Sequence, residues 1–419
     1  MRIKVDENGN WRSFRHRNFR ILYPANALSN IGTWAQRVAQ DWLVLELTDN
    51  NGFYLGLVTA IQFAPVLLFS LQGGAMADRI DKRKLLIWTN IVAALACYAL
   101  GILVVTEVIQ LWHVFVCAAV LGISSALDAP IRQSFTAEIV GHSDVANAVS
   151  LNSANFNAGR LVGPALSGFL IARFDTGPSF LINATTYLFV ILSLFFMRPS
   201  DFFIQKKEET LGTIREGLRY AKARPDLYVV MALVFFAATF GLNFQIFNAL
   251  MATKEFGKGP ASYGLLGTFI AVGSLSGALI SARLERFRDA KLVMKLGILF
   301  SIIVIVLSVM PTYTWYSLWL PVCGISALTM LISANSYVQV NSDPAVRGRV
   351  MGIYLLVFMG GTPVGSLLIG YLTEALGTRE TIALCGGFSL LMCLLIWFFF
   401  NDKVERPDDL RVSSVLREQ

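Results

Sequence analysis

The stretch GGAMADRIDKRK, residues 73–84, places six charged side chains between two long apolar runs. The run before it, VTAIQFAPVLLFSLQ, and the run after it, LLIWTNIVAALACYALGILVV, contain no charged residue. An α-helix of about 20 apolar residues crosses the hydrocarbon core of a bilayer, which is about 30 Å thick. A short charged segment between two such runs is typical of a loop that joins two membrane-spanning helices.

The composition of the whole chain agrees with this interpretation. The 419 residues are 55% hydrophobic and only 15% charged, whereas soluble domains contain about 25% charged residues. Backbone groups in lipid must be hydrogen-bonded within the protein, which leaves helices and closed barrels as spanning structures. The runs are too long and too uniformly apolar for the alternating strands of about 10 residues that build a barrel. The sequence therefore predicts an all-α integral membrane protein.

Recurring apolar runs predict twelve spans and a division of the chain into two halves. The predicted spans are 19–46, 53–77, 84–106, 110–131, 145–172, 178–197, 227–251, 262–283, 291–310, 314–338, 348–373 and 379–400. The hydrophilic stretch between spans six and seven contains TLGTIREGLRYAKARPDL, which predicts a basic amphipathic helix at the inner leaflet that ends at Pro225. The predicted domains are an N-terminal six-helix bundle at 1–197, a cytoplasmic linker at 198–226 and a C-terminal six-helix bundle at 227–419.

The placement of lysine and arginine predicts the orientation of the chain. Of the 35 cationic residues, 29 fall in the termini and in loops on the same side, and four fall in the opposite loops. Cytoplasmic loops carry an excess of Lys and Arg. We therefore expect both termini and residues 73–84 on the cytoplasmic side of a bacterial inner membrane. The net charge of +7 reflects this topology, and no nucleic-acid partner is expected.

Several functional classes lack their sequence signatures. The five cysteines lie inside apolar runs without metal-ligand spacing and are expected to be small buried side chains. No phosphate-binding loop of the Gly-x-x-x-x-Gly-Lys-Ser/Thr type occurs, which argues against an ATP-driven pump. The three histidines are scattered, which argues against an enzyme. We expect neither a cofactor nor a metal.

Two pairs of similar segments recur about 200 residues apart. GGAMADR at 73–79 is similar to SGALISARLER at 276–286, and GRLVGPALSG at 159–168 is similar to MGGTPVGSLLIG at 359–370. Internal repeats of this kind are typical of secondary transporters.

Four phrases resemble motifs of the major facilitator superfamily. They are GGAMADRIDKRK after span two, SSALDAPIRQSF after span four, NAVSLNSANFNAGRLVGPALSG in span five and DPAVRGRVMGIY before span eleven. The similarity extends along nearly the whole chain. It is greatest to the bacterial exporter branch that includes enterobactin-type siderophore exporters and multidrug efflux pumps. The resemblance implies two pseudo-symmetric six-helix bundles and transport by alternating access.

The resemblance also implies a cytoplasmic latch in the first motif. The matching residues are Gly74, Asp78, Arg79, Lys82 and Arg83. In such a latch Asp78 faces the N-terminal end of span eleven, where the helix dipole presents partial positive charge. Lys82 is expected to reach Asp128 at the cytoplasmic end of span four, and Asp81 stands where the superfamily has glycine. The alternative is that these cations only orient the chain.

Span five resembles a glycine-rich motif of antiporters in the superfamily. Gly159, Gly163, Pro164 and Gly168 match it, while Ser167 replaces one glycine. The resemblance implies export in exchange for protons. Ordinary packing of small residues between helices is the alternative, and the two interpretations are compatible.

Span one carries polar residues on one helical face. Asn26, Asn30, Thr33, Arg37 and Asp41 follow each other at intervals of four, three, four and four residues. A charge at mid-bilayer costs at least about 2.5–3.5 kcal/mol on insertion scales, so we expect this stripe to face a central cavity. The candidates for proton coupling are Asp41 as the carboxylate, with Arg37 or Arg160 of span five tuning its pKa. The alternative is a structural Arg37–Asp41 pair near the periplasmic rim.

The sequence thus predicts a secondary active exporter of a small amphipathic or anionic organic molecule, such as a drug, a siderophore or a metabolite, driven by proton antiport. The alternatives are a proton-coupled uptake symporter and a non-transporting membrane receptor or scaffold. The expected partners are the substrate, protons and the lipid bilayer, with the chain as a monomer. The candidate substrate-cavity residues are Asn26, Asn30, Thr33, Asn152, Asn157, Asn243, Gln245, Asn248, Thr329 and Ser333.

Overall fold

The computed structural model describes residues 9–203, 214–283, 289–344 and 346–401, without the side chains of residues 70–79, 214, 215 and 282. Within these ranges the chain forms helices and no strand, which confirms the predicted all-α fold. The first half contains α1 (Arg17–Leu47), α2 (Gly52–Arg79), α3 (Lys82–Val105), α4 (Leu111–Val140), α5 (Val145–Phe174) and α6 (Gly177–Phe195). Short 3₁₀ turns occur at Arg12–Arg15 and Pro199–Asp201.

The second half begins with the short helix α7 (Ile214–Ala223) in the predicted amphipathic segment. It continues with α8 (Pro225–Phe236), α9 (Phe244–Leu250), α10 (Pro260–Arg283), α11 (Ala290–Ser308), α12 (Tyr313–Asn341), α13 (Arg347–Leu376) and α14 (Thr378–Phe400). As predicted, the amphipathic helix ends just before Pro225, with Ala223 as its last residue, and Pro225 then opens α8. Proline is tolerated in a first helical turn because its missing N–H would have no partner there.

Ten helical stretches in the described part of the chain are long and apolar enough to cross a membrane. Two further long helices, α1 with 31 residues and α5 with 30, are not among them. Both correspond to predicted spans that are rich in Asn, Gln, Ser and Arg, and these polar side chains lower their mean hydropathy.

The chain divides into two compact units. The first unit is Met1–Glu208 with Gly257–Thr268, and the second is Glu209–Phe256 with Phe269–Gln419. Helix α10 is continuous and belongs to the first unit up to Thr268. The exact bounds of the two six-helix domains stay a prediction.

The same packing pattern occurs inside each unit. In the first unit α1 packs on α5 and α6, and α3 packs on α4 and α6. In the second unit α13 packs on α8, and α11 packs on α12 and α14. The pairs correspond by their order in each half, as the repeated sequence segments predicted.

Glycines allow the closest helix contacts in both units. A Cβ atom on Gly159 would lie 2.8 Å from the carbonyl carbon of Asn30, and one on Gly163 would lie 2.5 Å from Cβ of Trp34. Gly361 and Gly365 of α13 abut Thr239 in the same way. Two glycines four residues apart therefore bring a pair of helix backbones together in each half.

The predicted span at 227–251 is not one regular helix. A π-helical turn at Ala237–Gly241 separates α8 from α9, and a second one follows at Met251–Glu255. The first turn contains Thr239, the residue on which the two α13 glycines pack. Such π-turns in helices are rare and were not predictable from the apolar run.

All five cysteines are free and buried inside helices: Cys97, Cys117, Cys323, Cys385 and Cys393. This agrees with the prediction that they act as small apolar side chains.

Substitution of Gly163 by alanine tests the contact between α1 and α5. The new methyl group would overlap α1, and overpacking of this kind costs about 1–3 kcal/mol. Gly387→Ala in α14 is the matched control because nothing lies within 4 Å of a Cβ atom at that position. In detergent-solubilised protein we expect the unfolding temperature to fall for Gly163→Ala and to stay unchanged or rise for Gly387→Ala. Equal unfolding temperatures in the two variants would contradict the close contact between α1 and α5.

Candidate functional site

The polar stripe of α1 contacts three other helices of the first unit. Asn26 accepts a hydrogen bond from Arg132 of α4, and the Thr33 hydroxyl lies 3.3 Å from the hydroxyl of Tyr187 in α6. At the other end of the stripe, Asp41 accepts a hydrogen bond from Tyr263. Asn26, Thr33 and Asp41, which were predicted to face a cavity, thus form hydrogen bonds with side chains of neighbouring helices.

Asp41 is a buried carboxylate bound by a buried phenol. The Tyr263 hydroxyl donates to Oδ2 of Asp41 at 2.6 Å, and the two residues are 1% and 3% exposed. The ring of Trp42 stacks on that of Tyr263 with centroids 6.4 Å apart. Sequence reasoning missed Tyr263, which is 222 residues from Asp41 and lies in the part of α10 that belongs to the first unit.

The glycine motif of α5 makes two sets of contacts. Gly159 and Gly163 pack on α1, as described above. One turn further along, a Cβ atom on Gly168 would lie 2.7 Å from the carbonyl oxygen of Pro260, and Gly264 packs against Pro164. The Thr268 hydroxyl also donates to the carbonyl of Leu161 in α5 at 3.0 Å. Through this motif, α1 and the N-terminal part of α10 both pack against α5.

Two arginines of the predicted proton-coupling group surround one tryptophan. The guanidinium carbon of Arg37 lies 4.8 Å from the ring centroid of Trp34 and 5.6 Å from that of Phe63 in α2. The guanidinium carbon of Arg160 lies 5.8 Å from the same Trp34 centroid. The rings of Phe156 and Trp34 form a T-shaped pair with centroids 5.6 Å apart. The structure thus joins Arg37 and Arg160 through an aromatic side chain that sequence reasoning did not single out.

The partner predicted for Lys82 was wrong. The ammonium group of Lys82 binds Glu138 of α4 at 2.6 Å. Asp128 instead pairs with Arg132, one turn along the same helix, through contacts of 2.7 and 2.9 Å. The reason is that α4 continues to Val140, beyond the predicted end of the span, so that Arg132 lies inside the helix and Glu138 lies near its end.

The Asp128 carboxylate is the centre of a wider polar network. It accepts hydrogen bonds from Thr89 at 3.0 Å and from Asn90 at 3.1 Å, both in α3, while Arg132 also donates to Asn26 of α1. Sequence reasoning assigned Arg132 to a loop. The spacing of four residues between Asp128 and Arg132 was the signal that could have revealed the pair.

Other residues of the predicted latch stabilise helix ends. Asp81 accepts hydrogen bonds from the backbone N–H groups of Arg83 and Lys84 and so caps the N-terminus of α3. The Arg83 guanidinium donates to the carbonyls of Leu194 and Phe195 at the end of α6, at 2.7 and 3.1 Å. The side chains of Gly74, Asp78 and Arg79 lie outside the described residues. Asp81 thus acts as a cap and does not need the left-handed conformation that glycine would supply.

The remaining cavity candidates make separate local contacts. In α5, Asn152 donates to Thr136 at 3.3 Å and Asn157 donates to the carbonyl of Ser153 at 2.8 Å. The contacts in the second unit are from Asn243 to the Thr239 carbonyl, from Tyr316 to Asn248 and from Thr329 to the Gly277 carbonyl. Ser333 is buried and Gln245 is half-buried. These contacts do not gather the candidates of either unit into one cluster.

An acidic residue of the connection between α4 and α5 was also missed. Asp144 is buried and binds Arg12 at 3.3 Å, Arg15 at 2.8 Å and His16 at 2.7 Å. These contacts fasten the 3₁₀ turn before α1 to the rest of the first unit. Among the described residues, no group of three or more His, Cys, Asp and Glu side chains could hold a metal.

The sequence pattern of a family described as transmembrane secretion effector matches residues 8–419. The chain belongs to this family of major facilitator transporters. The predicted superfamily and its exporter branch are thereby confirmed, and members of this superfamily are membrane transporters rather than enzymes.

Three relatives are similar over most of the chain. The staphyloferrin A transporter of Staphylococcus aureus is 24% identical, with 92% of this chain and 97% of the relative covered. The multidrug efflux pump Tap of Mycolicibacterium fortuitum is 26% identical, with 90% and 93% covered. The enterobactin exporter EntS of Shigella boydii is 25% identical, with 90% of each chain covered.

A solved structure shares the fold. It is a bacterial homologue of the human lysosomal transporter Spinster, in an inward-facing and unoccupied conformation. Its TM-score is 0.75 at 14% sequence identity, with 93% of this chain and 99% of that chain covered. The likeness supports the major facilitator fold.

A double-mutant cycle tests the Asp128–Arg132 pair. Arg132→Gln alone leaves the negative charge of the partly buried Asp128 carboxylate without its cationic partner. The double variant, which also carries Asp128→Asn, no longer has that charge. Contacting residues of one network couple by about 0.5–3 kcal/mol. We therefore expect the double variant to unfold at a temperature closer to the wild type than Arg132→Gln does. Arg173→Gln at the exposed end of α5 is the control, and additive effects of the two substitutions would contradict the pairing.

Proposed function

We propose that this protein exports a small amphipathic or anionic organic molecule across a bacterial inner membrane in exchange for protons, with both termini in the cytoplasm. Two of the three relatives are named for transport of a siderophore and the third is named as a multidrug efflux pump. These names support a substrate among siderophores, drugs or similar metabolites. Alternating access of a single binding region is the mechanism proposed.

The observation that carries the proton coupling is the bond between Asp41 and Tyr263. A hydrogen bond to an ionised carboxylate is about twice as strong as one between neutral groups. When Asp41 takes up a proton, the bond from the Tyr263 hydroxyl weakens. Tyr263 lies in α10, which continues from the first unit into the second. Proton binding at Asp41 would thereby loosen the N-terminal part of α10 from α1 and α5.

The charged group nearest in sequence to Asp41 on the same helix face is Arg37, one turn away, and the two side chains act on each other electrostatically. In this proposal Arg37 favours the ionised form of Asp41 until a proton arrives from the periplasm. Transfer of one charge across 100 mV supplies about 2.3 kcal/mol, so one or two protons per cycle support a useful gradient.

The cytoplasmic latch is a second part of the proposal. Lys82 and Glu138 form a partly exposed ion pair between the start of α3 and the end of α4. The pair joins two helices of the first unit, so in this proposal it stabilises the cytoplasmic end of that unit. The role of Asp78 in the latch stays a prediction, because its side chain lies outside the described residues.

Asp41→Asn tests the coupling carboxylate. In proteoliposomes that contain a pH dye, we expect wild-type protein to move protons inward when enterobactin or staphyloferrin A is driven outward, and the variant to lose this proton movement. Asp49→Asn, the same change at an exposed residue beyond the end of α1, is the matched control. Tyr263→Phe should keep the coupling carboxylate but shift the pH dependence of transport.

The outcomes separate the proposed function from its alternatives. Proton-driven flux of normal size in Asp41→Asn would exclude Asp41 as the coupling group. Inward substrate flux with protons would indicate a symporter. No flux of any tested siderophore or drug, with the protein inserted and folded, would favour a receptor or scaffold.

A further inference from the structure

Arg37 and Arg160 are half-buried cations in the middle of predicted spans one and five. In the described part of the chain, neither guanidinium forms an ion pair with a carboxylate, and Nε of Arg37 is buried without a hydrogen-bond partner there. Arg132 of the same unit is different, since Asp128 neutralises it through two contacts. Arg37 and Arg160 thus differ from Arg132, because their guanidinium groups contact aromatic rings and Asp41 acts on Arg37 only through its electrostatic field.

Two cations close together, neither of them in an ion pair with a carboxylate, are unfavourable inside a membrane protein. The guanidinium groups of Arg37 and Arg160 both lie within 6 Å of the Trp34 ring centroid and repel each other electrostatically. Contact with an aromatic face offsets only a small part of the cost of removing such charges from water. An anion between the two guanidinium groups would remove the repulsion, and the planar fork of donors on each arginine matches a carboxylate.

The fold holds these groups in place. Gly159 and Gly163 fix the backbone of α5 against α1 on both sides of Arg160, and the same contact touches Cβ of Trp34. Phe156, which forms a T-shaped pair with Trp34, is 49% exposed, and the ring of Phe63 in α2 also contacts Arg37. The two cations therefore stand beside apolar aromatic surface that could receive the uncharged part of a ligand.

We propose that Arg37 and Arg160 bind the anionic group of the transported molecule, while Trp34 and Phe156 contact an aromatic or otherwise planar part of it. This inference rests on the proposed transport function and makes it specific. The substrate class is then an organic anion that carries a carboxylate or a similar group beside a flat apolar portion. The carboxylate of Asp41 stays in its bond with Tyr263, so substrate and proton occupy different groups.

The test measures binding of 2-naphthoate, with its neutral amide 2-naphthamide as the matched probe, to the full-length protein in detergent micelles. For wild-type protein we expect saturable binding of 2-naphthoate that is at least about tenfold tighter than binding of the amide. In Arg37→Gln and Arg160→Gln that preference should fall by at least about tenfold, because a hydrogen bond to a charged group contributes about 1.5–3 kcal/mol. Arg173→Gln in α5 is the charge-matched control and should bind as the wild type does.

Conservative variants distinguish loss of the site from loss of the fold. Arg37→Lys and Arg160→Lys keep the charge and should retain a preference for 2-naphthoate over the amide. Each variant is accepted only when its thermal transition is cooperative. Equal binding of acid and amide by the wild type, no saturable binding of 2-naphthoate at millimolar concentration, or an unchanged preference in both glutamine variants would overturn the inference.

The binding test is independent of transport. If the wild type prefers 2-naphthoate but reconstituted vesicles show no flux, the anion site stands and the proposed export fails. If the vesicles transport but the acid shows no preference over the amide, export stands and the anion site fails.

Discussion

The backbones of α1 and α5 touch at Gly159 and Gly163, and the other features of the first unit depend on this contact. Lipid tails are as apolar as leucine, so burial of apolar surface gives little drive for helices to associate within a bilayer. Close van der Waals contact and hydrogen bonds between helices must supply the stability instead. The absence of side chains at these two positions sets Trp34 beside Arg160 and leaves the rest of α1 to bind α4, α6 and α10. The second unit repeats the arrangement with Gly361, Gly365 and Thr239.

The polar residues of α1 then serve different purposes along the helix. In the N-terminal part of α1, Asn26 extends the network of Asp128 and Arg132, which also includes hydrogen bonds from Thr89 and Asn90 of α3. In the middle, the guanidinium group of Arg37 lies over the rings of Trp34 and Phe63. Further on, Asp41 is bound by a phenol from α10. One helix therefore carries, in order, a residue of a structural polar network, an arginine in contact with aromatic rings and a buried carboxylate, and the proposed roles follow this order.

Hydropathy made the helices predictable, because the length of an apolar run is a local property of the sequence. The superfamily was predictable from the resemblance of four short motifs, which are local as well. Partners distant in the chain were not predictable. Tyr263 lies in a segment of ordinary composition, and only the fold brings it to Asp41. The wrong partner for Lys82 came from the predicted end of span four at residue 131, since α4 continues through polar residues to Val140 and carries Glu138 to the lysine. Helix ends that extend beyond the apolar run are poorly marked by hydropathy.

The burial of the five cysteines has a practical consequence for work on the conformational cycle. Cys97, Cys117, Cys323, Cys385 and Cys393 are enclosed by neighbouring helices, so their thiols are shielded from water-soluble maleimides. A reporter cysteine introduced at an exposed loop position, such as Asp49 or Asp175, would then be the group that reacts first. Spectroscopic labels could be attached pairwise to the native sequence background, and the distances between them could be followed as substrate and pH are changed.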